Sequence, residues 1–140
     1  MATDARTDEV EGLLQRVSRW AEQRIDVRAL ALVGSWARGA SDMDSDVDLV
    51  LLTNVPSQYL EREDWFNELG RGQLVRTLTW GAITERRFRL PGGLEVEFGV
   101  GTPAWAAVDS LDDGTRKVVS DGMRVLYDPD LLLTRLSAVC

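Results

Sequence analysis

The run LVGSWARGASDMDSDVDLVLL (32–52) sets four carboxylates, Asp42, Asp44, Asp46 and Asp48, directly against an apolar segment. Asp46 and Asp48 alternate with Val47 and Leu49, ahead of Val50, Leu51 and Leu52. A segment this apolar reads as a buried strand, where carboxylates lower strand propensity and are expensive to desolvate without partners. The chain must therefore fold as a sheet protein whose strand starts at a place where charge is needed.

A solvated loop accounts for Asp42 and Asp44 but not for Asp46 and Asp48. A calcium loop starting at Asp42 fails, because its sixth place is Val47 and its twelfth is Thr53, where glycine and glutamate are required. A magnesium site fits better. Residues two apart on a strand share a face at roughly 6.5–7 Å spacing, so Asp46 and Asp48 can lean on common hard cations. Magnesium takes a few carboxylates together with waters and substrate phosphates. Two such ions, about 3.5–4 Å apart, stabilise attacking and leaving oxygens at phosphorus.

That chemistry also needs a phosphate cradle. Gly34-Ser35, straight after the apolar run Val27–Val33, lets a phosphate approach the backbone. Walker A chemistry is excluded, since Lys117 is the only lysine and no such motif surrounds it. A third acid should come from a second strand facing the same point. GLEVEFGV (93–100) offers Glu95 and Glu97, which alternate with Leu94, Val96 and Phe98 and so share one face.

Composition narrows the chemistry further. There is no histidine, and the only cysteine is the last residue, Cys140. Histidine bases, His-ligated metals, Ser-His and Cys-His nucleophiles, and Cys-cluster zinc sites are all excluded. A net charge of -7 argues against a surface built to coat nucleic acid. The length of 140 residues predicts one domain, 1–140. No apolar run reaches the roughly 18–20 residues of a membrane span and no signal peptide opens the sequence, so a cytoplasmic protein with no membrane partner is expected.

The periodicities predict a mixed α/β (α+β) fold, a mixed β-sheet flanked by helices. Helices are expected over 8–24 with Thr7 as N-cap, 56–69, 102–108, 113–120 and to Ala138 with Asp130 as cap. Strands are expected over 27–33, 47–52, 73–80, 83–90, 94–100 and 124–128, with a hairpin turn at Pro91-Gly92-Gly93. Arg86, Arg87 and Arg89 could help Arg38 to pair with phosphate, with a solvated strand face the preferred reading for at least two of the three. Trp36, Trp65, Trp80 and Trp105 read mainly as core, with base stacking or an acceptor pocket as the alternative.

The hydrophobic strand, Gly34-Ser35, variable loop and Asp46-x-Asp48 in a second hydrophobic strand resemble the nucleotidyltransferase superfamily of the DNA polymerase β type. Arg38-Gly39 and the Ser45–Leu49 run look most like small bacterial members, the minimal nucleotidyltransferases and antibiotic adenylyltransferases. The likeness covers 27–53 most fully and extends over 94–100 and 121–136. It implies the polymerase β palm fold and transfer of a nucleoside monophosphate, AMP by analogy, from an NTP such as ATP to a hydroxyl, with release of pyrophosphate. It also implies that Gly34, Ser35 and Arg38 meet the nucleotide phosphates and that Asp46 and Asp48 hold two Mg2+ ions. The third acid, both ligand and base, would be Glu97, with Glu95 as the alternative. The expected acceptor is a small molecule or a partner protein rather than a nucleic acid, with a homodimer or a helical toxin-like protein as further partners. A non-catalytic nucleotide-binding regulatory module and an antitoxin-type binding protein stand as rivals on the same fold.

Overall fold

The computed structural model describes residues 3–41 and 45–140, so Asp42 and Asp44 lie outside the described residues. The strands are β1 (Val27–Val33), β2 (Val47–Thr53), β3 (Gln73–Trp80), β4 (Ile83–Arg89), β5 (Glu95–Gly101) and β6 (Met123–Tyr127). They form one sheet in the order β3-β4-β5-β2-β1-β6. All neighbours are antiparallel except β2 and β5, which run parallel with Asp48 paired to Glu97. The helices are α1 (Asp4–Glu22), α2 (Ser57–Leu60), α3 (Asp113–Ser120) and α4 (Leu132–Val139). The expected mixed sheet with flanking helices is thus the observed architecture.

The apolar runs of β1 and β2 are continuous because both of their faces are covered. On one face, Leu30, Leu32, Val47, Leu49 and Leu51 pack with Val96 and Phe98 beneath α1, which contributes Leu13, Leu14, Val17 and Trp20. Phe66 stacks on Phe88 at 4.1 Å, and Trp65 meets Phe98 edge-on at 5.1 Å. On the opposite face, Ala29, Ala31, Val50 and Leu52 pack beneath Val119 of α3 and Leu133 and Leu136 of α4. This second layer covers only the β1–β2 side; the rest of that face is open.

Three local expectations are corrected. Helix α1 begins a turn earlier than predicted, capped by Thr3, whose Oγ1 accepts from Arg6 N–H. The helix expected over 56–69 is broken into α2 and a 3-10 turn at Asp64–Glu68. Its inner carbonyls are taken by a distant strand: Arg86 Nη1 donates to Tyr59 O at 2.8 Å and to Arg62 O at 2.7 Å. The final helix is capped by Asp128, which accepts from Leu133 N and Thr134 N, while Asp130 pairs with Arg28.

Candidate active site

β2 and β5 bring two acids side by side at the border of the open face. Strand alternation sends Val47 and Leu49 into the α1 core and leaves Asp46 and Asp48 on the other side. On β5 the same alternation buries Val96 and Phe98 and turns Glu95 and Glu97 out. The parallel register then sets Asp48 next to Glu97. Gly34 closes this corner. Its φ of 75 lies in the left-handed region, and a Cβ added there would fall on Asp48 Oδ2. The backbone and the carboxylate therefore approach as closely as only glycine allows. The turn that follows is tied by Ala37 N–H and Arg38 N–H to Gly34 O and by Ala40 N–H to Ser35 O. Trp36 Nε1 donates to Ser45 O, joining the two ends of the loop.

Gly34, Arg38, Asp48 and Glu97 line a cavity of about 610 Å³, to which Ser35, Asp46 and Glu95 do not contribute. Two residues that sequence alone did not single out as acids or ligands complete the charge pattern. Glu85 of β4 lines the same cavity. Arg87, half-buried rather than solvated, reaches Asp46 Oδ2 at 2.7 Å, Glu95 Oε1 at 3.0 Å and Glu97 Oε2 at 2.8 Å. Arg86 is buried on the opposite face, and only Arg89 is the solvent-facing residue expected of the three; it pairs with Glu95. Of the tryptophans, Trp65 is core, Trp36 and Trp105 pack partly buried against the two cores, and Trp80 is 63% exposed.

The acids differ in their electrostatics. Burial pushes Asp48 up to about 7, and the charges of Glu97 and Asp46 add to the shift against Arg87. Glu85 is likewise pushed up to about 7, by burial and then by sharing a proton with Glu97. Burial also acts upward on Glu97, but bonding with Glu85 and Arg87 outweighs it and holds this carboxyl below its usual range. Glu95 is held low by Arg89 and Arg87. The corner thus carries more negative charge than its one buried guanidinium can balance.

Among the described residues no three acids form a ready-made metal cage. Magnesium bound with substrate phosphates does not need one. Glu97 Oε1 is buried and accepts from no guanidinium, Arg76 Nη2 standing 3.6 Å away. Asp48, pushed up to about 7 by burial and neighbouring negative charge, stands beside it, and this donor set fits a divalent ion; Asp46 is engaged by Arg87.

The family model of the nucleotidyltransferase domain matches residues 11–91, more than half of the chain. The chain belongs to the nucleotidyltransferase domain family. No curated protein matches it. Among solved structures, a cytoplasmic RNA terminal U-transferase superposes with a TM-score of 0.55 at 16% identity, over 85% of this chain and 33% of the other. Cid1, solved in complex with the UTP analog UMPNPP, gives a TM-score of 0.50 at 18% identity, over 71% of this chain and 31% of the other. The chain spans about a third of these structures, which share its polymerase β-like nucleotidyltransferase fold. No helix among the described residues of this nucleotidyltransferase domain is long and apolar enough to cross a membrane.

Proposed function

We propose that this domain, a single unit over 1–140, transfers a nucleoside monophosphate, AMP in the first instance, from an NTP to a hydroxyl of a small molecule or partner protein. The observation that carries the reading is the Asp48–Glu97 pair, set in register on parallel strands beside Gly34. Asp46, Asp48 and Glu97 would hold Mg2+, and Gly34, Ser35 and Arg38 would meet the phosphates. When bound, the ions neutralise charge developing on the attacking and leaving oxygens.

The chain's own residues supply the rest. Gly34 admits the triphosphate to the backbone. Arg87 fixes Glu97 through Oε2, while Oε1 is held by no guanidinium. Glu97, held ionised, accepts the proton of the acceptor hydroxyl as that oxygen bonds to the α-phosphorus. The bond from the α-phosphorus to the β-phosphate's bridging oxygen breaks, and pyrophosphate leaves with the electron pair. The acidic composition disfavours a nucleic-acid acceptor.

The test is a screen with labelled ATP, UTP, GTP and CTP plus Mg2+ against small alcohols, proteins and the protein itself. Label transfer by the parent that disappears in Asp46→Asn and Asp48→Asn supports the proposal. Label transfer equal in all three proteins overturns the assignment of Asp46 and Asp48, and Mg-NTP binding without transfer to any acceptor returns the domain to the regulatory-module reading.

A further inference from the structure

The cavity that starts at Gly34 and Asp48 continues well past the acids. It crosses the sheet over Gly99 to Trp80 on the β3–β4 hairpin and Trp105 on the 3-10 turn Pro103–Ala106. Its floor is flat because β5 carries glycine where the open face continues. A Cβ on Gly99 would press on Ile83 Cγ2 at 3.2 Å, and one on Gly101 would meet Ile83 Cδ1 at 2.7 Å. The glycines therefore seat Ile83 low, and an apolar trough lies between the hairpin and α3.

Charge is distributed unevenly along it. Asp48 and Glu97 stand at its head with Arg38, the only basic residue among the described lining residues. Glu85 and Asp112 line it with no cation beside them among the described lining residues, whereas Asp121, next to the Gly122 that packs on Arg38, is paired with Lys117 Nζ at 3.0 Å. Trp80 Nε1 donates to Glu85 Oε2 at 3.1 Å, which fixes the edge of the indole against a carboxylate and leaves its face exposed. An indole face with a carboxylate at its edge attracts an organic cation both through the ring and through the charge.

The position relative to the acids identifies which reactant this serves. Asp48 and Glu97 open onto the trough, whereas Ser35 and Asp46 do not. A molecule lying over Gly99 and Trp80 presents its hydroxyl to Glu97, the group that would receive the proton, while Ser35 of the turn stays outside the cavity. We infer that the trough is the acceptor site of this nucleotidyltransferase, and that it takes a small hydroxyl compound with a flat apolar body and a protonated amine. The inference rests on the nucleotidyltransferase reading for the word acceptor, but not for the class of ligand. An RNA 3′ end is the wrong chemistry here. Single-stranded RNA binds through a basic groove with stacking rings, and this trough would set its phosphates against Glu85 and Asp112.

Three phenols of one size separate these terms: tyramine, a cation; tyrosol, neutral; and 4-hydroxyphenylacetate, an anion. Each is titrated calorimetrically at neutral pH into the full chain without nucleotide, with a ten-nucleotide uridine RNA as competitor. Tyramine should bind roughly tenfold more tightly than tyrosol, the anion more weakly than either, and the RNA should displace none of them. Trp80→Ala should weaken tyramine severalfold, and Glu85→Gln should narrow its advantage over tyrosol. Circular dichroism should show both variants folded, as expected for changes on the β3–β4 hairpin. Equal affinities for the three phenols, no tyramine binding, or displacement by RNA would overturn the proposal. Mg-ATP binding is measured separately on the same protein. Tyramine binding without Mg-ATP binding would retain the ligand class and overturn the acceptor role, whereas Mg-ATP binding without tyramine binding overturns the trough alone.

Discussion

Strand β5 has two faces, and they are organised for opposite ends. Val96, Phe98 and Val100 enter a dry core under α1, where Phe98 meets Trp65 at 5.1 Å between ring centres. Glu95, Glu97 and Gly99, interleaved with them, form part of an open face on which carboxylates repel one another. The core side gains from being filled; the open side is kept unsatisfied and unfilled. One strand therefore anchors the fold with three side chains and offers chemistry with the others, and substitutions on the two sides should fail in different ways.

The sharpest contrast comes from neighbouring residues. Phe98→Ala should destabilise the protein by about 3–5 kcal/mol, read as a lower urea midpoint. Glu97→Gln should leave that midpoint close to the parent yet lower turnover by roughly 10²–10⁴-fold, the loss typical of general-base help. Glu95→Gln, two residues away and bound to Arg87 and Arg89, should stay near parental turnover. A fall with Glu95→Gln but not Glu97→Gln would move the base by one pair of residues. Loss of folding with Glu97→Gln would erase the distinction between the faces.

A subtler difference lies in pH. Asp48 has its folded pKa raised to about 7 by burial and by Glu97 and Asp46, against roughly 3.9 when unfolded. The folded state holds this proton more tightly, so the associated stability is present below about pH 4 and is lost as pH rises through 7. In chelator, Asp48→Asn should therefore gain in melting temperature relative to the parent as pH goes from 5 to 8. Tyr59→Phe, which alters a buried hydroxyl on the core side bonded to Asp26, should show no such growing difference. A parallel pair of melting curves for Asp48→Asn and the parent would mean that the acids are not crowded.

The smallest expected effects concern the last helix. Asp128→Ala should cost about 1 kcal/mol through loss of the cap, while Asp130→Ala should cost less, since its pair with Arg28 is substantially exposed. Equal losses would restore Asp130 as the cap.

These cases show what the sequence makes legible. β1, β3 and α3 occupy the expected residues because their signals are local: an apolar run, a β-branched run ended by Gly81, and Asp112 capping Thr115 N–H. The break between α2 and the following 3-10 turn was not legible, because the competing donor, Arg86, comes from a strand more than twenty residues away. The site divides in the same manner. Asp46, Asp48, Glu95 and Glu97 stand out as acids alternating with apolar residues. Glu85 and Arg87 do not, since β4 carries only Ile83 and Phe88 as apolar markers, and their place depends on the β4–β5 register that sets Arg87 beside Glu97. The charged positions Glu85, Arg87 and Arg89 at steps of two were the available signal, but their charges alone read as solvated.

The most direct test of the account is calorimetric titration of a non-hydrolysable ATP analogue into the parent and Asp48→Asn, with and without Mg2+. The open face predicts binding to the parent that requires the metal and is lost in the variant, while the urea midpoint of Asp48→Asn stays equal to or above the parent's. Equal affinity of parent and variant in Mg2+ would contradict it, because the carboxylates interleaved with the core would then hold nothing.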